Sequence, residues 1–166
     1  MGRFFEAVDR LNDWCGWLVG LQILFVVGVI VYEVILRYGF GTPTLWANEV
    51  MIYLTAMAYL LGGGYALLHR RHVTVDVLYA RLSPRTRARL DLVTLIFFLF
   101  YLVTLVWAGW IWAWDSMKLG ETTGTPWNPP IWPVKLAIPV AAALVLLQGI
   151  ANVIRDLQAT RRAPGA

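Results

Sequence analysis

Groups that titrate, ligate metal or attack an electrophile are few in this sequence, and their spacing is poor for catalysis. His69 and His72, the two histidines, stand three apart, so both imidazoles could reach one metal ion. No second pair of ligands lies near them in sequence, and haem ligation across a bundle needs histidines that face one another inside it. They read as interfacial residues beside lipid headgroups. Cys15 is the single cysteine, which excludes disulfides, zinc ribbons and dithiol redox centres. Ser83 and Ser116 are the only serines, and neither has the Gly-x-Ser-x-Gly setting of a hydrolase nucleophile. Gly62-Gly63-Gly64 lies in an apolar run with no Lys-Ser/Thr behind it, unlike a phosphate-cradling loop. The chain does not read as an enzyme, and no catalytic residue, cofactor or metal site is expected.

The remaining charged residues of interest sit where apolar runs end. Glu33 and Arg37 are spaced i, i+4 with the acid first, the favourable order for a pair on one helix face. Glu49 opens the next apolar run, where a carboxylate suits a helix N-terminus. Arg37 is expected to bridge both acids across a hairpin, chiefly as a clip that sets hairpin geometry, with contact to a partner or to substrate as the functional alternatives. No Asp, Glu, Lys, Arg or His falls inside the four apolar runs, and Gln148 and Asn152 in the last of them are polar without titrating. A proton or ion pathway through this chain alone therefore lacks its groups.

The runs themselves dictate the architecture. Of 166 residues, 59% are hydrophobic and 14% charged, far from the roughly 25% charged composition of soluble domains. Uncharged stretches cover 14–32, 50–68, 92–114 and 136–154, each 19 to 23 residues long. A span of the hydrocarbon core needs about 20 apolar residues, and its backbone must satisfy itself internally, which makes each span helical. The expected fold class is an all-α integral membrane protein with four transmembrane helices, at 14–36, 46–68, 90–114 and 132–155. The first run is longer than a signal-peptide core and reads as a retained helix.

Arginine and lysine set the orientation. The segments 1–13 and 69–89 and the C-terminal stretch from Arg155 onward hold 11 of the 14 basic residues, against 3 on the other side. Both termini are therefore expected in the cytoplasm, with 37–45 and 115–131 as periplasmic loops. The basic excess serves topology and contact with membrane phospholipids, not nucleic acid. Within 69–89, mixed apolar residues and arginines predict a short interfacial helix between helices 2 and 3. Ser83-Pro84 then predicts a cap with proline in the first turn of helix 3. Gly16-x-x-x-Gly20, Ala58-x-x-x-Gly62 and Gly62-x-x-x-Ala66 predict close helix approach. Most tryptophans fall near span ends as an interfacial belt.

Residues 33–92 resemble a known family. Glu33…Arg37-Tyr38-Gly39-Phe40, Leu45-Trp46…Glu49, Gly62-Gly63-Gly64 and Arg70…His72-Val73-x-Val75-Asp76 resemble the small membrane (Q-type, DctQ-like) subunit of tripartite ATP-independent periplasmic (TRAP) transporters. The later stretches Leu119-Gly120-Glu121-Thr122-Thr123 and Trp132-Pro133-Val134-Lys135, with Pro139, are similar to one branch of that family. The resemblance implies secondary active transport of organic acids at the bacterial inner membrane, without catalysis. The partners it implies are a large, sodium-coupled membrane subunit of the elevator kind and a periplasmic substrate-binding protein. The small subunit would scaffold the first and help dock the second. Glu33, Arg37, Trp46, Glu49, Gly62, Gly63, Gly64, Arg70, His72 and Asp76 are the candidate structural or partner-contact residues. Glu121, Trp127 and Trp132 mark the candidate docking loop. A stand-alone small transporter and a membrane assembly factor are the alternatives.

Overall fold

The computed structural model describes residues 2–69 and 84–162, all but the first residue, the connection between the second and third helices, and the last four. Arg70, His72, Asp76 and the expected interfacial helix lie outside the described residues. Most of the rest is helical, in four elements each long and apolar enough to cross a membrane. They are α1 (Gly2–Val34), α2 (Ala47–Leu68), α3 (Pro84–Leu119) and α4 (Trp132–Arg162).

All four overrun the uncharged stretches, because nothing in the flanking sequence stops them. α3 begins at Pro84, where the missing N–H is no loss in a first turn. It continues through 115–119, expected in a loop, because the first breaker is Gly120 at φ 61°. There Gly120 N donates to Met117 O and Glu121 N to Ser116 O, the paired bonds that close a helix on a left-handed glycine. α1 ends by widening into a π-helical turn, Ile35–Gly39, which takes in Arg37. The Leu36 carbonyl then accepts from both Phe40 N and Thr42 N, at 3.2 and 3.1 Å.

The helices form an open array instead of a closed bundle. α1 packs on α2, α2 on α4 and α4 on α3, while α1 meets α4 over a smaller area. In the most apolar stretch of each helix, 11% of the residues of α1, α2 and α3 are buried by the chain, against 44% for α4. α4 is therefore the central member, rich in small residues such as Ala137, Ala141, Ala142 and Ala151, all buried. Small side chains let helices approach where lipid supplies no hydrophobic drive. The array has two ends: one carries the α1–α2 and α3–α4 connections, the other both termini.

Of the predicted small-residue contacts, Gly16 and Ala58 are packed, whereas Gly20 and Gly62 face open space. A Cβ at Gly16 would lie 2.1 Å from the Tyr65 ring. The close approaches that the spacing did not predict are at Gly64, Gly109 and Gly149. Gly109 of α3 lies against Pro139 of α4, where a Cβ would come within 3.1 Å of the proline Cδ.

At the terminal end a polar network joins three helices. Asn12 and Gln148 are wholly buried. Asn12 Nδ2 donates to Gln148 Oε1 at 2.9 Å and to Val8 O at 3.1 Å. Gln148 Nε2 in turn donates to Asp9 Oδ1 and Asn152 Oδ1, and Asn152 Nδ2 donates to Leu67 O of α2. Arg155 grips Asp9 with two parallel bonds of 3.1 and 2.6 Å and lies over the Phe5 ring. Buried amides are tolerated in such a place where they find partners, as Gln148 does through both its oxygen and its nitrogen and Asn12 through its nitrogen.

Candidate functional site

The connection end carries most of the residues singled out by pattern. Glu33, 5% exposed, receives Arg37 through Nε at 3.1 Å and Nη2 at 2.6 Å. Its other oxygen accepts from Thr44 N at 3.1 Å and Thr44 Oγ1 at 2.6 Å. The Thr44 hydroxyl also accepts from Ala47 N, tying the ion pair to the first turn of α2. Trp46 stacks on Tyr32 with ring centroids 6.3 Å apart, a second tie across the hairpin.

The expected bridge from Arg37 to both acids does not form. Arg37 serves Glu33, and Glu49 turns instead toward the α3–α4 connection, where it accepts from Thr123 Oγ1 at 3.1 Å. The physical reason is local. Thr44 takes the second oxygen of Glu33 and fixes the hairpin, while Glu49 is buried in the first turn of α2 and bonded to that connection. The tertiary structure brings Glu49 next to a residue 74 positions away.

The α3–α4 connection is an ordered turn-back. Thr122 pairs with Pro130, flanked by Thr123 N donating to Pro129 O and Ile131 N donating to Glu121 O. Its base is clipped by Glu121, whose Oε2 accepts from Lys135 Nζ and, at 2.6 Å, from the buried Ser116 hydroxyl. The Lys135 ammonium and the Ser116 hydroxyl hold the Glu121 carboxyl below the usual carboxylate range. A carboxyl lowered by folding adds stability above its ordinary pKa of 4.5 and loses that contribution only as pH falls through the lowered value. Amide-exchange protection at Glu121 and Ile131 should therefore persist from neutral pH to below 4.5 and then fall. Glu121→Gln should abolish that acid step; a step unchanged in the variant would refute the assignment.

The three docking-loop candidates occupy different settings. Glu121 is the clip, Trp127 stands 44% exposed near the tip, and Trp132 begins α4 and lines an apolar cleft with Trp110 and Trp114. The glycine triplet is also divided. Gly64 touches Asn12, Gly63 lies near Val145, and Gly62 is open. His69 Nδ1 donates to the Tyr65 carbonyl at 3.1 Å, and its Nε2 lies 3.9 Å from Asp13 Oδ1. The site candidates drawn from the sequence did not include Thr44, Ser116, Thr123 or the Asp9–Asn12–Gln148–Arg155 network, although Ser116, Thr123 and Gln148 were noted there in other settings. The signal for the network was present as polar spacings: i, i+3 at Asp9 and Asn12, and i, i+4, i+7 at Gln148, Asn152 and Arg155.

Residues 26–159 match the sequence profile described as tripartite ATP-independent periplasmic transporters, DctQ component. The chain belongs to this family. As a DctQ-type protein it is the small-subunit component of a TRAP transporter, a multi-pass protein of the inner membrane, and its family is a transport component instead of an enzyme family. Two proteins of Haemophilus influenzae are similar to it. One, named a TRAP transporter small permease protein (strain ATCC 51907 / DSM 11121 / KW20 / Rd), is 30% identical over 92 residues, 55% of this chain and 57% of that protein. The other, the sialic acid TRAP transporter permease protein SiaT (strain 86-028NP), is 23% identical over 82 residues, 49% of this chain and 13% of that protein. The chain thus spans little more than half of one relative and about an eighth of the other.

Proposed function

We propose that this DctQ-type chain is a static membrane scaffold for a larger, sodium-coupled subunit that moves organic acids. In this reading its α3–α4 connection helps to dock a periplasmic substrate-binding protein. The excess of basic residues flanking the spans on one side supports a cytoplasmic location for both termini, and in this reading the connection end faces the periplasm. The proposed spans are 14–36, 46–68, 90–114 and 132–155.

The observation that carries the reading is the open array. Three of four helices leave most of their apolar surface uncovered by the chain, and the described middle of the array holds no charged group. Such an array supplies a wide apolar wall and no substrate pathway. Glu33 and Arg37 would stiffen the edge of that wall by fixing the α1–α2 hairpin.

Purification from native membrane should bring a large multi-span subunit with this chain. Arg37→Ala should lower the yield of that complex and its substrate uptake, because Glu33 then keeps only Thr44; unchanged yield and uptake would reject the role given to Arg37. Photo-crosslinkers at 121, 127 and 132 should label the binding protein when it is present. Solute uptake by liposomes holding this chain alone would overturn the scaffold reading.

A further inference from the structure

We infer that Glu49 is a positioning residue for the tip of the α3–α4 connection, acting through a one-directional chain of hydroxyl groups that ends on its carboxylate. The chain starts at Asn128, whose backbone N–H donates to Thr125 Oγ1 at 3.2 Å. Thr125 Oγ1 and Thr123 Oγ1 are 2.8 Å apart. Thr123 Oγ1 donates to Glu49 Oε2 at 3.1 Å.

The direction follows from proton counting. A backbone N–H can only donate, a carboxylate oxygen accepts, and each hydroxyl has a single proton to give. Thr123 gives its proton to Glu49, so Thr125 must give its own to Thr123. All three bonds then point toward α2, and bonds in series polarise one another. Had Glu49 been an apolar residue, the hydroxyl pair would have no preferred sense.

The rest of the tip closes on itself. Gly124 N donates to Asn128 Oδ1 at 2.9 Å, and Thr123 N donates to Pro129 O. Gly124 and Asn128 both lie in the left-handed region, at φ 70° and 54°, a conformation that asparagine tolerates better than most residues. Residues 123–128 thus form a small ring of bonds. Among the described residues, its hydrogen bond to another helix is the one to Glu49. Trp127 rides on this ring, half exposed.

Glu49 is also set apart from the other bonded acids. Glu33 has Arg37, Glu121 has Lys135 and Asp9 has Arg155. Glu49 is 9% exposed, and among the described residues its side chain is bonded to Thr123. A carboxylate so buried, with one donor, holds that donor firmly because losing it leaves the oxygen unsolvated. The consequence for transport, that Glu49 sets how Trp127 is presented to a binding protein, rests on the docking role proposed above; the hydroxyl chain does not.

The test uses the full chain in lipid nanodiscs with Cys15→Ala and a nitroxide attached through Trp127→Cys. Glu49→Leu and Thr123→Val should each shift the label from its immobile to its mobile component, on the order of tenfold in their ratio, as expected for one hydrogen bond to a charged group. The double variant should shift it no further, because both changes cut the same chain. Glu49→Gln should keep most of the immobile component, since its amide oxygen still accepts. Thr123→Val lies outside the helices and stays readable even if Glu49→Leu disturbs folding. An unchanged spectrum in Thr123→Val, or additive shifts in the double variant, would overturn the inference. A loosened tip with undiminished crosslinking to the binding protein would leave the chain standing and reject the docking role.

Discussion

Gly64→Ala should lower the melting temperature and membrane yield of the chain, while Gly62→Ala leaves both unchanged or slightly raised. The two glycines are two residues apart in α2, yet their surroundings are opposite. A Cβ at Gly64 would sit 2.0 Å from Asn12 Oδ1 and 3.6 Å from Leu144 Cβ. Asn12 cannot swing aside freely, since it is fully buried and its amide is bonded to Val8 and Gln148. Its Oδ1 has no hydrogen-bond partner among the described residues and rests on the glycine backbone. Overpacking at such a site costs roughly 1–3 kcal/mol. At Gly62 nothing lies within 4 Å of the Cβ position, and alanine there should recover up to about 1 kcal/mol of helix propensity. Thermal unfolding of the purified variants checks both; equal melting temperatures would refute the packing assigned to Gly64.

Gln148→Leu is expected to be at least as damaging, although leucine is apolar, similar in size and lies in a membrane helix. Gln148 makes three side-chain hydrogen bonds, to Asn12, Asp9 and Asn152. Side-chain hydrogen bonds within membrane proteins average about 0.6 kcal/mol and reach about 1.7. Losing three while stranding a buried amide should cost roughly 2–4 kcal/mol. Adding Asn12→Leu should return part of that loss, because removing both partners strands less than removing one. A double variant that melts at the sum of the two single losses would mean that the pair does not act as a unit. Arg155 and Asp9 complete the network near the terminal end, where their partial exposure weakens the pair's own contribution.

These two sites explain why parts of the molecule could be read in advance and parts could not. The spans were legible because the bilayer imposes a length and an apolar composition on any segment that crosses it. Helix 3 starting at Pro84 was legible from proline's missing N–H. The Glu33–Arg37 pair was legible because i, i+4 neighbours meet on any helix. The fate of Glu49 was not, since its partner Thr123 is brought near only after the α3–α4 connection folds back. Nor could sequence separate Gly62 from Gly64. Both lie in one run of three, and only the seating of α1 and α4 against α2 gives one of them a neighbour and leaves the other bare.

Composition and periodicity by themselves determined that this chain is four membrane helices with its ionisable groups kept to the ends, because burial of backbone and charge in hydrocarbon is governed by local sequence. The tertiary structure alone decided that the helices lie open around α4, that an amide network pins α1 to it, and that Glu49 answers to a distant threonine. In lipid, helix association has little hydrophobic drive and rests on close fit and a few polar contacts. Such fit depends on how surfaces meet; small-residue and polar spacings mark positions that could take part in it, but not which of them pair.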